Sequence, residues 1–129
     1  MIKERYVNPE VARLLRDKGF NEGTYGFYYK GGELSFNYDR LQINSEHTNL
    51  LISAPTQQMA CDWMRTKDIL ITDDLVIPIG AKLKIKVYRK VYDVYDDHIY
   101  DFVEATTIIR DTLEDAINEA LKYALEKLL

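Results

Sequence analysis

Six residues of one run, Lys82, Lys84, Lys86, Tyr88, Lys90 and Tyr92, occupy alternate positions. A β-strand repeats its side-chain direction every two residues, so this spacing predicts that all six share one face of a strand. The opposite face begins Leu83, Ile85, Val87 and resumes at Val91. The run therefore predicts a long strand, from Lys82 to Tyr95, with one buried side and one basic, aromatic side. Asp96-Asp97 then reads as a two-residue turn into a return strand from His98 to about Ile109. Such a turn fixes the register: Tyr95 opposite His98, Val91 opposite Phe102, Arg89 opposite Glu104 and Ile85 opposite Ile108. Arg89 interrupts the apolar face, and Glu104 is the opposite charge that would tolerate it there.

The remaining segments supply helices and a second hairpin. Asn8 is placed to cap a helix that opens at Pro9 and Glu10, and Gly19 to stop it in the left-handed region, with Phe20 folding back on Val11, Leu14 and Leu15. Tyr25, Phe27 and Tyr29 alternate before Gly31-Gly32, and Leu34, Phe36 and Tyr38 alternate after it, which predicts a hairpin. Asp39 to Asn49 is polar and unpatterned and reads as a loop. Thr56 follows Pro55 and marks a second helix start, with Met59, Ala60, Trp63 and Lys67 in one sector, Met64 at its edge and Trp63 as the main anchor. Ile69 and Ile71 alternate as a short strand that Asp73-Asp74 breaks, and Pro78 with Gly80 makes the next stretch a bend or an edge. Thr112 caps a last helix with Asp115 in the third position. Its inner stripe is Leu113, Ile117, Ala120, Leu121, Ala124 and Leu128, with Asp115, Glu119, Lys122 and Glu126 facing water.

This order of helix, hairpin, helix, strands and helix predicts an α+β domain, an antiparallel sheet of hairpins with three helices packed on one face. With 129 residues, 47% of them hydrophobic, one domain spanning residues 1–129 can bury most of its apolar surface. A formal net charge of -4 argues against wholesale polyanion binding, so nucleic acid would need a local patch. The one cysteine, Cys61, excludes an intramolecular disulfide. No apolar core of signal-peptide length follows Met1, and no stretch approaches the length needed to span a bilayer. The expected setting is the cytoplasm, with no membrane anchor.

Two segments carry a family resemblance: Ser53-Ala54-Pro55-Thr56-Gln57-Gln58-Met59-Ala60-Cys61-Asp62-Trp63-Met64-Arg65, and Glu119-Ala120-Leu121-Lys122-Tyr123-Ala124-Leu125-Glu126-Lys127-Leu128-Leu129. Together with the glycine-ended opening helix at Arg16-Asp17-Lys18-Gly19-Phe20, they resemble a family of small, uncharacterised proteins of prophages and mobile elements in Bacteroides and related gut bacteria. Family members more often have leucine where Met64 stands. The resemblance implies a setting and no activity, and it carries over no catalytic residue.

Three groups of residues are candidates for function. The Lys82, Lys84, Lys86, Tyr88, Lys90, Tyr92 face combines cations for phosphates with rings for unpaired bases, the pairing used on single-stranded nucleic acid. A solvated strand face that resists edge pairing has the same composition. Asp93, Asp96, Asp97, His98 and Asp101 form an oxygen-rich group suited to a hard divalent cation and hence to a metal-dependent hydrolase. Aspartates are also ordinary turn formers, and the spacing is not that of an EF-hand. Ten tyrosines make a protein-binding surface or a homodimer a natural use of the chain. Cys61, beside Asp62 and off the apolar sector of its helix, is poorly placed to be a thiolate. His47 and His98 accompany no nucleophile motif, and phosphate-binding and dinucleotide fingerprints are absent. No cofactor is expected, and the leading expectation is a non-enzymatic accessory protein that binds a protein partner or itself.

Overall fold

The computed structural model of the chain describes residues 5–29, 32–46, 51–73, 83–92 and 100–129. Helix α1 (Pro9–Asp17) starts where Asn8 accepts a hydrogen bond from the Val11 N–H at 2.9 Å. It ends on Gly19 at φ +95, with the Phe20 N–H on the Leu15 carbonyl and the Gly19 N–H on the Arg16 carbonyl. This is a Schellman stop, and Phe20 and Leu15 are both buried beneath it. Helix α2 (Gln57–Arg65) is capped by Thr56 and helix α3 (Leu113–Tyr123) by Thr112, as their sequences predict.

The strands divide into two antiparallel sheets, β2-β1-β3 and β4-β5-β6. The first comprises β1 (Gly26–Tyr29), β2 (Leu34–Phe36) and β3 (Leu51–Ala54). Its hairpin pairs Tyr28 with Leu34 and turns through Gly32 at φ +84, a conformation that glycine adopts without strain. Asn37–Leu41 leads to Gln42, which bridges to Thr24, and on to Asn44, whose side chain accepts from the Ser53 N–H, so this segment covers the outer side of the sheet. Phe27 and Tyr28, on opposite faces of β1, are therefore both buried, at 8% and 6% exposure. A strict alternation of buried and exposed residues does not hold where both faces are covered.

The second sheet comprises β4 (Ile69–Asp73), β5 (Leu83–Tyr92) and β6 (Tyr100–Arg110). Strand β4 runs through Asp73, two residues past Ile71 and onto the first of the two aspartates expected to break it. The β5/β6 register has two parts. Near the base, Ile85 pairs with Ile108 and Val87 with Thr106, as the alternation predicts. Beyond Val87 an extra residue, Ala105, is accommodated in β6, and the pairs become Tyr88 with Glu104, Arg89 with Val103 and Lys90 with Phe102. The expected pairing of Arg89 with Glu104 and of Val91 with Phe102 is thus incorrect by one residue. The bulge turns Glu104 to the face opposite Arg89, and Arg89 is tolerated because it is exposed to solvent.

One core cluster contains residues of all three helices and both sheets, among them Val11, Leu15, Tyr28, Trp63, Ile69, Ile85 and Leu121. Helix α3 is its hub, packing on β5 and β6 and against α1 and α2, while α1 lies on β3 and α2 on β4. Leu121 is fully buried as expected, but Ile117 and Leu128 are only partly so. After Tyr123 the helix widens into a π-turn, Ala124–Leu128, which brings Leu125 into the core in place of Leu128.

Candidate functional site

Strand β5 places Lys84, Lys86, Tyr88 and Lys90 on one face of the second sheet, opposite buried Ile85 and Val87. The bulge lies in β6, so this row of β5 stays on one side of its strand throughout. The row is not a uniform basic surface. Leu70 and Thr72 of β4 flank Tyr88 and Lys86, and Phe102, Glu104, Thr107 and Ile109 of β6 flank the row on its other side. The Glu104 carboxylate, opposite Tyr88, accepts from the Thr107 hydroxyl. Lys90 is held by Asp68, with Nζ 3.6 Å from Oδ1 and the Lys90 N–H donating to the Asp68 carbonyl. Asp68 adopts φ +63 in the turn between α2 and β4, which is how its carboxylate comes under the strand. Tyr92 ends β5 opposite Tyr100, and Lys82 lies outside the described residues.

The first sheet carries an aromatic surface. Tyr6 meets Phe36 edge-on at 5.1 Å between centroids, Phe36 stacks on Tyr38 at 5.8 Å, and Tyr38 reaches Tyr25 at 5.7 Å. Tyr6 approaches the sheet over Gly26, where a Cβ would stand 3.1 Å from its ring and 2.9 Å from the Ala54 carbonyl oxygen. Glycine is required there for the ring to seat. Tyr25, Phe36 and Leu41 are exposed, and Tyr38 is 71% so, which makes this a cluster rather than scattered apolar residues. The alternation of Tyr25 and Phe36 along their strands was visible in the sequence. Their convergence with Tyr6 was not, because it depends on the pairing of residues 5–7 with residues 55–57.

Cys61 packs against the core instead of facing solvent, and its thiol is pushed up to about 12 by burial first and by Asp62 second, with Arg65 acting against both. Such a thiol is protonated at neutral pH and is not a nucleophile. Tyr28 is also raised, by burial and then by Glu114, and its hydroxyl donates to the Val7 carbonyl. Between α3 and the edge of β6 is a hollow of about 210 Å³, lined by Ile108, Arg110, Glu119, Lys122, Tyr123 and Lys127 among others. Arg110 lies 3.5 Å from Glu119, and Lys122 lies 3.1 Å from Glu10, whose hydrogen bond and charge raise the Lys122 pKa.

Of the aspartate group, Asp93, Asp96, Asp97 and His98 lie outside the described residues, as does His47. Asp101 is exposed and its carboxylate accepts from the Phe102 N–H. Among the described residues no three His, Cys, Asp or Glu side chains form a metal-sized group, and no helix is long and apolar enough to cross a membrane. No protein-family model matches the chain, and no curated protein or solved structure matches it.

Proposed function

We propose that this chain is a non-enzymatic accessory protein that acts in the cytoplasm by binding protein, either a partner or a second copy of itself. The observation that carries this reading is the run of rings Tyr6, Phe36, Tyr38 and Tyr25, three of them exposed on one sheet. Tyrosine offers a large rigid apolar area with a polar tip, the composition enriched in the cores of protein interfaces. The raised Cys61 thiol supports a role without nucleophilic chemistry at that residue. The resemblance over Ser53–Arg65 and Glu119–Leu129 supports a prophage or mobile-element setting in Bacteroides and related gut bacteria. The test is affinity capture after gentle lysis with the intact chain and with a Tyr25→Ala/Tyr38→Ala variant. A protein enriched by the first and lost with the second, at unchanged melting temperature, is expected. Identical captures, or robust turnover of a substrate by the purified monomer, would sink the reading.

A second reading, single-stranded nucleic acid on the β5 face, is supported by Lys84, Lys86 and Tyr88 lying along one face of the strand, each half-buried. Glu104 opposite Tyr88 and the Lys90–Asp68 pair reduce the positive charge available to it. It predicts salt-dependent binding of a single-stranded oligonucleotide that Lys84→Glu/Lys86→Glu abolishes.

A further inference from the structure

The edge of the second sheet is an eleven-residue strand, β6, whose outer side pairs with no strand among the described residues. Such an edge ordinarily invites another strand, and a bulge ordinarily discourages one, because an incoming regular strand cannot match the extra residue. Two copies of β6 brought together by a two-fold axis are the exception. Each carries the same extra residue, and an axis passing between Ala105 and Thr106 sets one bulge against the other.

The faces of β6 can be read from its pairing with β5. Phe102, Glu104, Thr107 and Ile109 are on the Lys/Tyr face, and Asp101, Val103, Ile108 and Arg110 are on the core face. The parity changes at Ala105. Antiparallel pairing about the proposed axis puts Phe102 opposite Ile109, Glu104 opposite Thr107, Val103 opposite Ile108 and Asp101 opposite Arg110 of the other copy. Every one of these pairs joins residues of the same face, which antiparallel pairing demands. In an unbulged strand the same register would set each face against the other. The contents of the pairs are complementary as well: an acid meets a base, and Phe102 and Ile109, about two-fifths exposed, meet each other. On the core face, Val103 is 51% exposed, and among the described residues no helix covers that half of the strand, whereas α3 overhangs Ile108 and Arg110 and leaves the hollow beside them. The second copy's Val103 and Asp101 would arrive at the mouth of that hollow, which holds Arg110, Lys122 and Lys127 together with Glu119 and Glu126, so Asp101 would share Arg110 with Glu119, 3.5 Å from it.

The geometry points to a symmetric homodimer in which β6 pairs antiparallel with β6 of a second copy, in the register Asp101 to Arg110, with the hollow under α3 receiving the second copy's Val103. This gives the self-association half of the proposed function a surface of its own, and it does not use the aromatic rings of the first sheet. Sedimentation equilibrium of the full chain across the micromolar range is expected to show a dimer. Asp101→Arg sets like charges opposite each other at two symmetric places and is expected to weaken that dimer about tenfold or more, with Asp101→Arg/Arg110→Asp restoring it. Thermal melts of each variant separate loss of pairing from loss of folding. The cysteine pair Phe102→Cys/Ile109→Cys, in a Cys61→Ala background, reads the register directly. Seven residues along one strand span about 23 Å, too far for a disulfide within a copy, so oxidation is expected to yield a covalent dimer. A chain that sediments as a monomer throughout overturns the proposal. So does a dimer that survives Asp101→Arg and does not cross-link, or one that dissociates on Tyr25→Ala/Tyr38→Ala instead; the last result would leave the aromatic surface as the site of binding.

Discussion

The two halves of the β5/β6 hairpin are built from the same kind of sequence and behave differently. From Ile85 to Val87 the strand has one face in the core, where Ile85 and Val87 are fully buried and Ile108 nearly so, and the pairs are those that alternation predicts. From Tyr88 to Tyr92 the hairpin has passed beyond the helices: Arg89, Val91, Val103 and Phe102 are all exposed, and the register has moved by one. A one-residue slip exchanges the two faces of a strand, which is prohibitive where one face is buried and cheap where both are wet. Hydrophobic burial sets the register in the first half. Among the described residues nothing of comparable energy sets it in the second, and the extra residue is accommodated there.

The largest difference between the two halves is expected when apolar volume is removed from each in turn. Ile85→Ala deletes a fully buried side chain and is expected to cost about 2–5 kcal/mol. Val91→Ala, on the same face of the same strand, is expected to cost about 0.5 kcal/mol or less. Urea titrations of the two variants measure both. Equal losses would mean that the outer half is packed as tightly as the inner one.

What the sequence disclosed follows the same division between local and distant causes. The helix caps Asn8, Thr56 and Thr112 and the stop at Gly19 were legible because each is settled by residues within one turn of it. Trp63 was legible as an anchor, whereas Lys67, read as part of the same helical sector, lies past the end of α2 and is exposed, with its ammonium 5.2 Å from the Trp63 ring centroid. The bulge at Ala105 was not legible, since no glycine or proline marks it and the pairing partner decides it. Leu125 was assigned to no face because a 3.6-residue period cannot anticipate a π-turn. Of the candidate sites, the Lys/Tyr row could be read from spacing alone, whereas the aromatic surface required knowing that residues 5–7 run beside residues 55–57.

Alkaline pH acts on the core side, because Cys61 is partly buried against the core that fixes the first half of the hairpin. Its folded pKa, about 12, stands above the unfolded value of 9.0, so the folded state retains a proton that the unfolded state releases. The associated stability is complete below pH 9 and is lost as the pH rises toward 12, with a slope of at most about 1.4 kcal/mol per pH unit. Tyr28, also raised, adds to the fall above its ordinary value of 10.0. Urea titrations at pH 8 and pH 10 should show the loss, and Cys61→Ala should flatten it. An unchanged slope in that variant would remove the thiol from the account.

Deleting Ala105 tests whether the outer half needs its bulge for folding or for association. With that residue gone, Val87 still pairs with Thr106 and Tyr88 with Glu104, now without interruption, so the monomer's stability is expected to move by no more than about 1 kcal/mol. The same-face pairs of β6 about the two-fold axis survive the deletion, with Thr106 now opposite its own copy, so the dimer is expected to persist. A chain of nearly unchanged stability that still dimerises is the expected result in calorimetry and sedimentation, and loss of the dimer alone would assign the bulge to association. A large loss of stability would assign the bulge to the fold.

The smallest expected effect belongs to Glu104, and it tests the slip itself. A uniform register would set Glu104 beside Arg89 on the core face, where removing one partner of a charge pair leaves the other uncompensated at a cost of several kcal/mol. In the register observed, Glu104 lies on the opposite face across from Tyr88, exposed, with the Thr107 hydroxyl donating to its carboxylate. A glutamine in its place keeps an acceptor for that hydroxyl and gives up only a solvated charge. Glu104→Gln is therefore expected to lie within about 0.5 kcal/mol of Glu126→Gln, a change on the exposed side of the terminal π-turn. Paired urea titrations decide it: a loss of 2 kcal/mol or more at Glu104 alone would restore the Arg89 pair and the uniform register, and with it the claim that burial reaches the outer half of the hairpin.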